Sequence, residues 1–402
     1  PVQIMNTSID KQFDGKFSVE NRYDYLNLNT CRFLWKQVKF PTATDASNTT
    51  AQVLKQGEVQ GSDVAAHSAG VLDIKTTILP DADALFLTAI DRYGHELWRW
   101  TFPVNKLNQA NEVLSPLSNK VTSTETENEL TVKAKNHTFI FSKKDGQLKG
   151  VSVNNRKISF ANGPRFIGAR RADRSLDQFY NHDDEKAKEK DRTYSEFPDA
   201  AVFTKLDVKE DGGNLIVTAN YKLGNLDKAQ WTINPSGEAV LDYTYNFSGV
   251  VDLMGICFDY PEDQVISKRW LGAGPYRVWQ NRIHGTQYDV WENDYNDPIP
   301  GETFTYPEFK GYFGSVSWMN IRTKEGTISL TNETPDAYIG VYQPRDGRDR
   351  LLYTLPESGI SVLNVIPPVR NKVNSTDLCG PSSQPKWVNG PQSGRIIFRF
   401  ME

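Results

Sequence analysis

Hydrophobic and polar residues alternate with a period of two along most of this chain. Phe17-Ser18-Val19-Glu20-Asn21-Arg22-Tyr23 does so, and so does Cys31-Arg32-Phe33-Leu34-Trp35-Lys36-Gln37-Val38. Successive side chains of an extended segment point to opposite sides, so this rhythm predicts strands with one face turned inward. Further strands are expected at 70–74, 84–90 and 96–102, the last two joined by the turn Asp91-Arg92-Tyr93-Gly94-His95. Roughly seven short strands within about 100 residues predict an immunoglobulin-like β-sandwich over 1–108, with Trp35 and Trp100 as core anchors. His95 reads as an exposed turn residue without a role.

A polar stretch without periodicity follows and reads as a linker over 109–128. Alternation then resumes through Leu130–Lys135, Thr138–Ser142 and Leu148–Val153, with Gly146 placed where a turn needs positive φ. Strands are expected again at 200–209, 214–223, 228–233 and 239–247, and later at 314–321, 326–330, 337–341, 359–366 and 395–400. So many strands with almost no helix are too much for one small sandwich and predict a large two-sheet β-sandwich over 129–402. No internal repeat is visible, which argues against a propeller. The charged run 170–191 breaks the pattern. Asp183 to Lys190 would suit one exposed helix, acidic early and basic late. His182-Asp183-Asp184 is a weak ligand set there, and a solvated surface excursion is the simpler reading.

Composition narrows the classes. A chain of 402 residues suggests two or three domains. A net charge of −4 argues against a nucleic-acid partner, which wants a basic stripe. No apolar run approaches the roughly 18 residues of a membrane helix, so no membrane partner is expected. Pro1-Val2-Gln3-Ile4-Met5 lacks the pattern of a signal peptide, and a chain starting at proline suggests a mature form or a piece of a larger protein. The three cysteines, Cys31, Cys257 and Cys379, lie far apart without a C-x-x-C, and the five histidines are isolated. No zinc or iron–sulfur site and no cofactor are expected.

The chemically densest stretch is Arg269 to Trp291, RWLGAGPYRVWQNRIHGTQYDVW. Trp270-Leu271-Gly272-Ala273-Gly274-Pro275 cannot be a regular helix. It suits a strand ending in a turn whose glycines take unusual φ/ψ. Trp279, Arg282, His284, Tyr288 and Trp291 supply planar rings and hydrogen-bonding groups. Two readings stand: a buried corner with tryptophans as filler, or a carbohydrate platform in which rings stack on sugar faces and Arg282 and His284 bond hydroxyls.

Those residues also carry a resemblance. Trp270-Leu271-Gly272-Ala273-Gly274-Pro275, seven residues before Arg282, resembles the W-L-G-x-G-P…R signature of bacterial β-galactosidases of glycoside hydrolase family 2, which usually have Tyr where Trp279 stands. Tyr306-Pro307-Glu308-Phe309-Lys310-Gly311 with Val316-Ser317-Trp318 is similar to the family's Y-P-Q-E-N-G…V-R-W segment. Gly163-Pro164 with Arg171-Ala172 is similar to its G-P…W-R-A-P-T-D-N-D. The resemblance implies that 1–108 is the immunoglobulin-like domain joining the catalytic barrel to the last domain. It implies that 129–402 is the galactose-mutarotase-like β-supersandwich. The family's two catalytic glutamates lie on a barrel N-terminal to both, and no βα alternation occurs in this chain. A retaining pair needs carboxyls about 5–5.5 Å apart. Glu292 with Asp294 and Asp183 with Asp184 are close in sequence but have no family counterpart, so no catalytic residue is assigned.

In many members a loop of the last domain reads D-S-W-G-P and lends its Trp to the sugar site. Here Asp377-Leu378-Cys379-Gly380-Pro381 stands in that place, with Cys379 where the ring would be. Trp387, eight residues on, could supply a ring only if the loop folds back. The departure puts galactose specificity in doubt. The resemblance thus implies the non-catalytic C-terminal part of a glycosidase. Its partners would be a β-galactoside or related glycan, the barrel of the parent enzyme and another copy of the chain, and a location outside the cytoplasm would suit it. Two other classes stay open. One is a carbohydrate-binding module acting alone. The other is a mutarotase-like epimerase using His284 with Glu292 or Glu308 as acid and base.

Overall fold

The structure is a computed structural model in which residues 1–45, 50–104, 120–171, 194–294, 311–342, 356, 358–368 and 380–402 are described. It divides into two compact units, Pro1–Asn111 with Gln287–Val290, and Glu112–Thr286 with Trp291–Glu402. No α-helix occurs among the described residues. The run proposed as a helix, with His182-Asp183-Asp184, lies outside them, as does 109–119 of the expected linker.

In the smaller unit, Val2–Ile4, Lys16–Asn21 and Ala69–Asp73 form one antiparallel sheet. Gln52–Gln60, Arg32–Lys39, Ala84–Ile90 and Glu96–Pro103 form the other. Alternation does what period two requires: Phe17 and Val19 from one sheet and Phe33, Trp35, Leu85 and Leu87 from the other share one core. This is the immunoglobulin-like sandwich. Trp35 is buried, whereas Trp100 is half-buried at its edge.

The larger unit pairs two broad sheets. The ten-stranded one runs Tyr338–Val341, Ile360–Val365, Leu253–Asp259, Ala161–Arg171, Leu148–Val153, His137–Ser142, Glu129–Ala134, Thr122–Glu125, with two short strands attached. The nine-stranded one runs Val202–Asp211, Asn214–Lys222, Leu226–Ile233, Ala239–Val251, Lys386–Met401, Gly326–Asn332, Trp318–Thr323, Val265–Gly274, Gln287–Asp294, the last of which belongs to this unit only from Trp291 on. Leu130, Val132, Phe139 and Phe141 from the first meet Leu215, Val217, Trp231, Leu241 and Phe398 from the second in one cluster. Burying apolar area between sheets is the main force holding such a layer pair. This is the β-supersandwich.

The middle of the ten-stranded sheet is buried on both faces. Phe166, Met254, Ile256, Phe258 and Val362 point into the main core. Their neighbours in the same strands, Ile167, Ala169, Leu253, Cys257 and Leu363, point the other way into a second cluster with Val278, Trp279 and Tyr312. The segment rich in tryptophan therefore caps the outer face of that sheet.

His137 yields a pH prediction. Its Nε2–H donates to the Phe400 carbonyl at 2.8 Å, and burial pushes its pKa down. The folded chain keeps the ring neutral, so below the unfolded value of about 6.5 the unfolded chain takes up the proton first. Stability contributed above that pH is lost as pH falls through it. The urea midpoint of the larger unit is expected to drop on going from about pH 7.5 to 5.5, and less steeply in His137→Gln.

Candidate functional site

The strand Val265–Gly274 carries the glycine motif and ends at Gly274. Its first job is packing. Trp270 is fully buried, lies edge-on to Phe313 with centroids 4.8 Å apart, and donates Nε1–H to the Ala273 carbonyl at 3.0 Å. Neither Gly272 nor Gly274 has positive φ, so the expectation of unusual φ/ψ is corrected. Space is what demands glycine. A Cβ on Gly272 would lie 3.0 Å from the Gly314 carbonyl oxygen and from Val316 Cα, and one on Gly274 would lie 2.5 Å from Cδ1 of Trp291. Gly163-Pro164 and Gly274-Pro275 are both cis.

Past Pro275 the chain doubles back. Val278 and Tyr312 exchange backbone hydrogen bonds at 2.7 and 2.8 Å, and the Arg282 N–H closes a turn on the Trp279 carbonyl at 2.8 Å. Trp279 is 1% exposed, edge-on to Tyr312 at 5.7 Å. Its ring is thus covered by protein and offers no face to a sugar. Arg277 and Lys268 are buried beside the Phe313 ring, 5.8 and 5.9 Å from its centroid. Of the other residues singled out from sequence, Arg282 and His284 are exposed, and Trp291 is half-buried with Nε1–H on the Gly272 carbonyl at 3.2 Å. Tyr288 is half-buried in the smaller unit. Glu292 and Asp294 are both exposed, flanking buried Asn293 on their strand. Cys379, Glu308, Asp183 and Asp184 lie outside the described residues. Trp387 is 71% exposed, the one large ring of the set left largely in solvent.

Two clefts that sequence reading missed flank Arg165. One, of about 430 Å³, is lined by Asp145, Glu196, Phe197, Phe203 and Tyr221 among others. The other, of about 500 Å³, is lined by Asn162, Asp259, Tyr260 and Tyr342 among others. The Arg165 guanidinium spans them, donating to the Asn162 carbonyl at 2.7 Å, to Asp259 Oδ1 at 2.8 Å and to Cys257 Sγ at 3.7 Å. Burial pushes the Asp259 carboxyl up, but hydrogen bonds from Arg165 and Asn162 outweigh it and hold the pKa below the usual range. Burial raises the Cys257 thiol to about 11, so it stays protonated and unreactive at neutral pH. Arg165 and Asp259 are spent on one another, and the arrangement can recognise polar groups at its margins. The only sequence signal for it is Gly163-Pro164-Arg165. Nothing marks Asp259, 94 residues away, as the partner of Arg165.

Comparison with known proteins agrees with the motifs. Among solved structures, a galactose 1-epimerase from Lactobacillus acidophilus NCFM is similar at 10% identity, covering 71% of this chain and 99% of its own, with a TM-score of 0.40. The protein HI1317 is similar at 7% identity, covering 71% of this chain and 98% of its own, with a TM-score of 0.32. No curated protein matches the chain in sequence. The family profile described as the β-galactosidase small chain matches residues 133–366, more than half of the 402. The chain therefore belongs to the β-galactosidase small chain family.

Proposed function

We propose that this chain is the non-catalytic C-terminal part of a family 2 glycoside hydrolase. It supports a catalytic barrel carried elsewhere in its parent protein and forms part of the rim of the sugar site. The observation that carries the reading is the use made of the family's own motif: Trp270, Trp279 and Trp318 are each no more than 1% exposed, and the glycines beside them are fixed by close approach. Residues so committed hold a scaffold together and cannot also do chemistry on a substrate. The rim is the part near Pro381 and Trp387, where an exposed indole offers a flat face to a pyranose ring. Carbohydrate, a β-galactoside or a related glycan, is the ligand.

The test is turnover. The isolated chain, folded, is expected to hydrolyse no aryl β-galactoside or other aryl glycoside. Measurable hydrolysis that tracks the purified chain would reject the reading.

One observation favours a second reading, a binding module that works alone: Arg282, His284 and Trp387 are all exposed. Since Trp279 is covered, the discriminating variant is Trp387→Ala. Calorimetric binding of a galactoside by the isolated chain, lost in that variant, would support the module. The epimerase reading gains no support from the described residues: His284 is exposed, and Glu308 lies outside them.

A further inference from the structure

We infer that Gln280 is a positioning residue that gathers the two chain segments leading to Trp387. The functional half of this inference rests on the rim reading above. Gln280 is 7% exposed. Its backbone N–H donates to the Pro367 carbonyl at 3.1 Å. Its side-chain Nε2 donates to two more carbonyls, Ser382 at 2.9 Å and Gln384 at 2.6 Å. Asn281 next to it donates Nδ2–H to Ser383 Oγ at 3.3 Å. One residue thus ties the end of the segment 358–368 to the turn Pro381–Ser383, more than 100 residues from Gln280 in sequence.

The chemistry needs this residue type. Two carbonyl oxygens must each receive a hydrogen from one neutral group, and a primary amide supplies two N–H bonds from one nitrogen. A carboxylate of the same shape supplies none and would face both oxygens with negative charge. The base of the clamp is rigid, because Trp279 is buried and Val278 is paired with Tyr312 on both hydrogen bonds. The far end runs straight into the strand Lys386–Met401, where Trp387 pairs with Val250. Gln280 therefore sets the approach to the exposed indole, while strand register sets its far side.

The experiment is hydrogen–deuterium exchange on the full chain, wild type against Gln280→Ala and the isosteric Gln280→Glu. Peptides covering 380–388 are expected to exchange on the order of ten-fold faster in both variants, as losing two hydrogen bonds should allow. Peptides from the strand Ala239–Val251 should not change. Should Gln280→Ala fail to fold, Gln280→Glu keeps the side-chain volume and reads the same quantity. Wild-type exchange in Gln280→Glu would overturn the clamp. The rim is read separately, as kinetics of the full-length protein carrying Gln280→Glu. KM for a galactoside is expected to rise several-fold with kcat little changed. Faster exchange with unchanged KM would leave the clamp standing and overturn its link to the sugar site.

Discussion

Trp231→Ala is expected to cost the larger unit about 3–5 kcal/mol of stability, the upper range for truncating one core side chain. Trp231 is 1% exposed on the strand Leu226–Ile233. Phe141 and Phe258 reach it from the opposite sheet with centroids 6.1 Å away, and Phe398 flanks it at 5.9 Å. The void left by alanine would be walled by both sheets. Neither can close on it easily, because continuous strand pairing on each side fixes the register of Lys228–Ile233. One feature works the other way: the indole Nε1–H is buried without a partner among the described residues. Trp231→Phe keeps most of the ring, removes that donor and should cost less than about 1.5 kcal/mol. Urea denaturation of the three proteins tests both figures. Equal midpoints for alanine and phenylalanine would show that ring volume is not what holds the layers apart.

Alternation along the chain is enough to read the class of the fold, and Asn214–Tyr221 shows why. The expected strand is present as Asn214–Lys222, with Leu215, Val217 and Ala219 inward. Where pairing rather than burial makes a strand, the pattern is silent. Periodicity predicts the last strand only over Arg395–Phe400, yet it runs Lys386–Met401. Its first half contains Gly390, Pro391 and exposed polar residues, which carry no periodic signal. It is extended because Ala239–Val251 pairs with it residue by residue from Val251↔Lys386 to Ala239↔Phe398. Thr122–Glu125, inside the expected linker, is wholly exposed and is a strand by its pairing with Glu129–Ala134.

The candidate site is legible in the sequence as a location and not as a set of roles. A run dense in tryptophan and glycine must pack or bind, and residue type does not say which. Tertiary structure decides: Trp279 is 1% exposed and Trp387 is 71% exposed, although both are candidates for the same platform by residue type. Gln280 gives no signal, because a lone glutamine among aromatics has meaning only through carbonyls more than 100 residues away. The Arg165–Asp259 pair is invisible in sequence for the same reason. Charge partners between strands are chosen by register, and register is a property of the whole sheet.

Gly274→Ala is the second substitution with a large expected effect, and it separates the two explanations for the family's glycines. Since φ at Gly274 is not positive, alanine meets no backbone penalty there. Any loss must come from the added methyl, which would sit 2.5 Å from Cδ1, 2.6 Å from Cγ and 2.7 Å from Nε1 of Trp291. Cγ is the root of the indole, so the ring cannot swing clear by bending at its tip. Relief requires moving Trp291 off the Gly272 carbonyl it now bonds. Overpacking of this kind costs about 1–3 kcal/mol. A double-mutant cycle with Trp291→Ala makes the argument quantitative: with the ring gone, the methyl has room and the cost of Gly274→Ala should largely vanish. Gly150, where a Cβ would meet nothing within 4 Å, is the control and should accept alanine with little change. If Gly274→Ala proves as harmless as Gly150→Ala, or if its cost persists without Trp291, the glycines of the motif are not there for the tryptophan. The case for this segment as scaffold would then lose its main support.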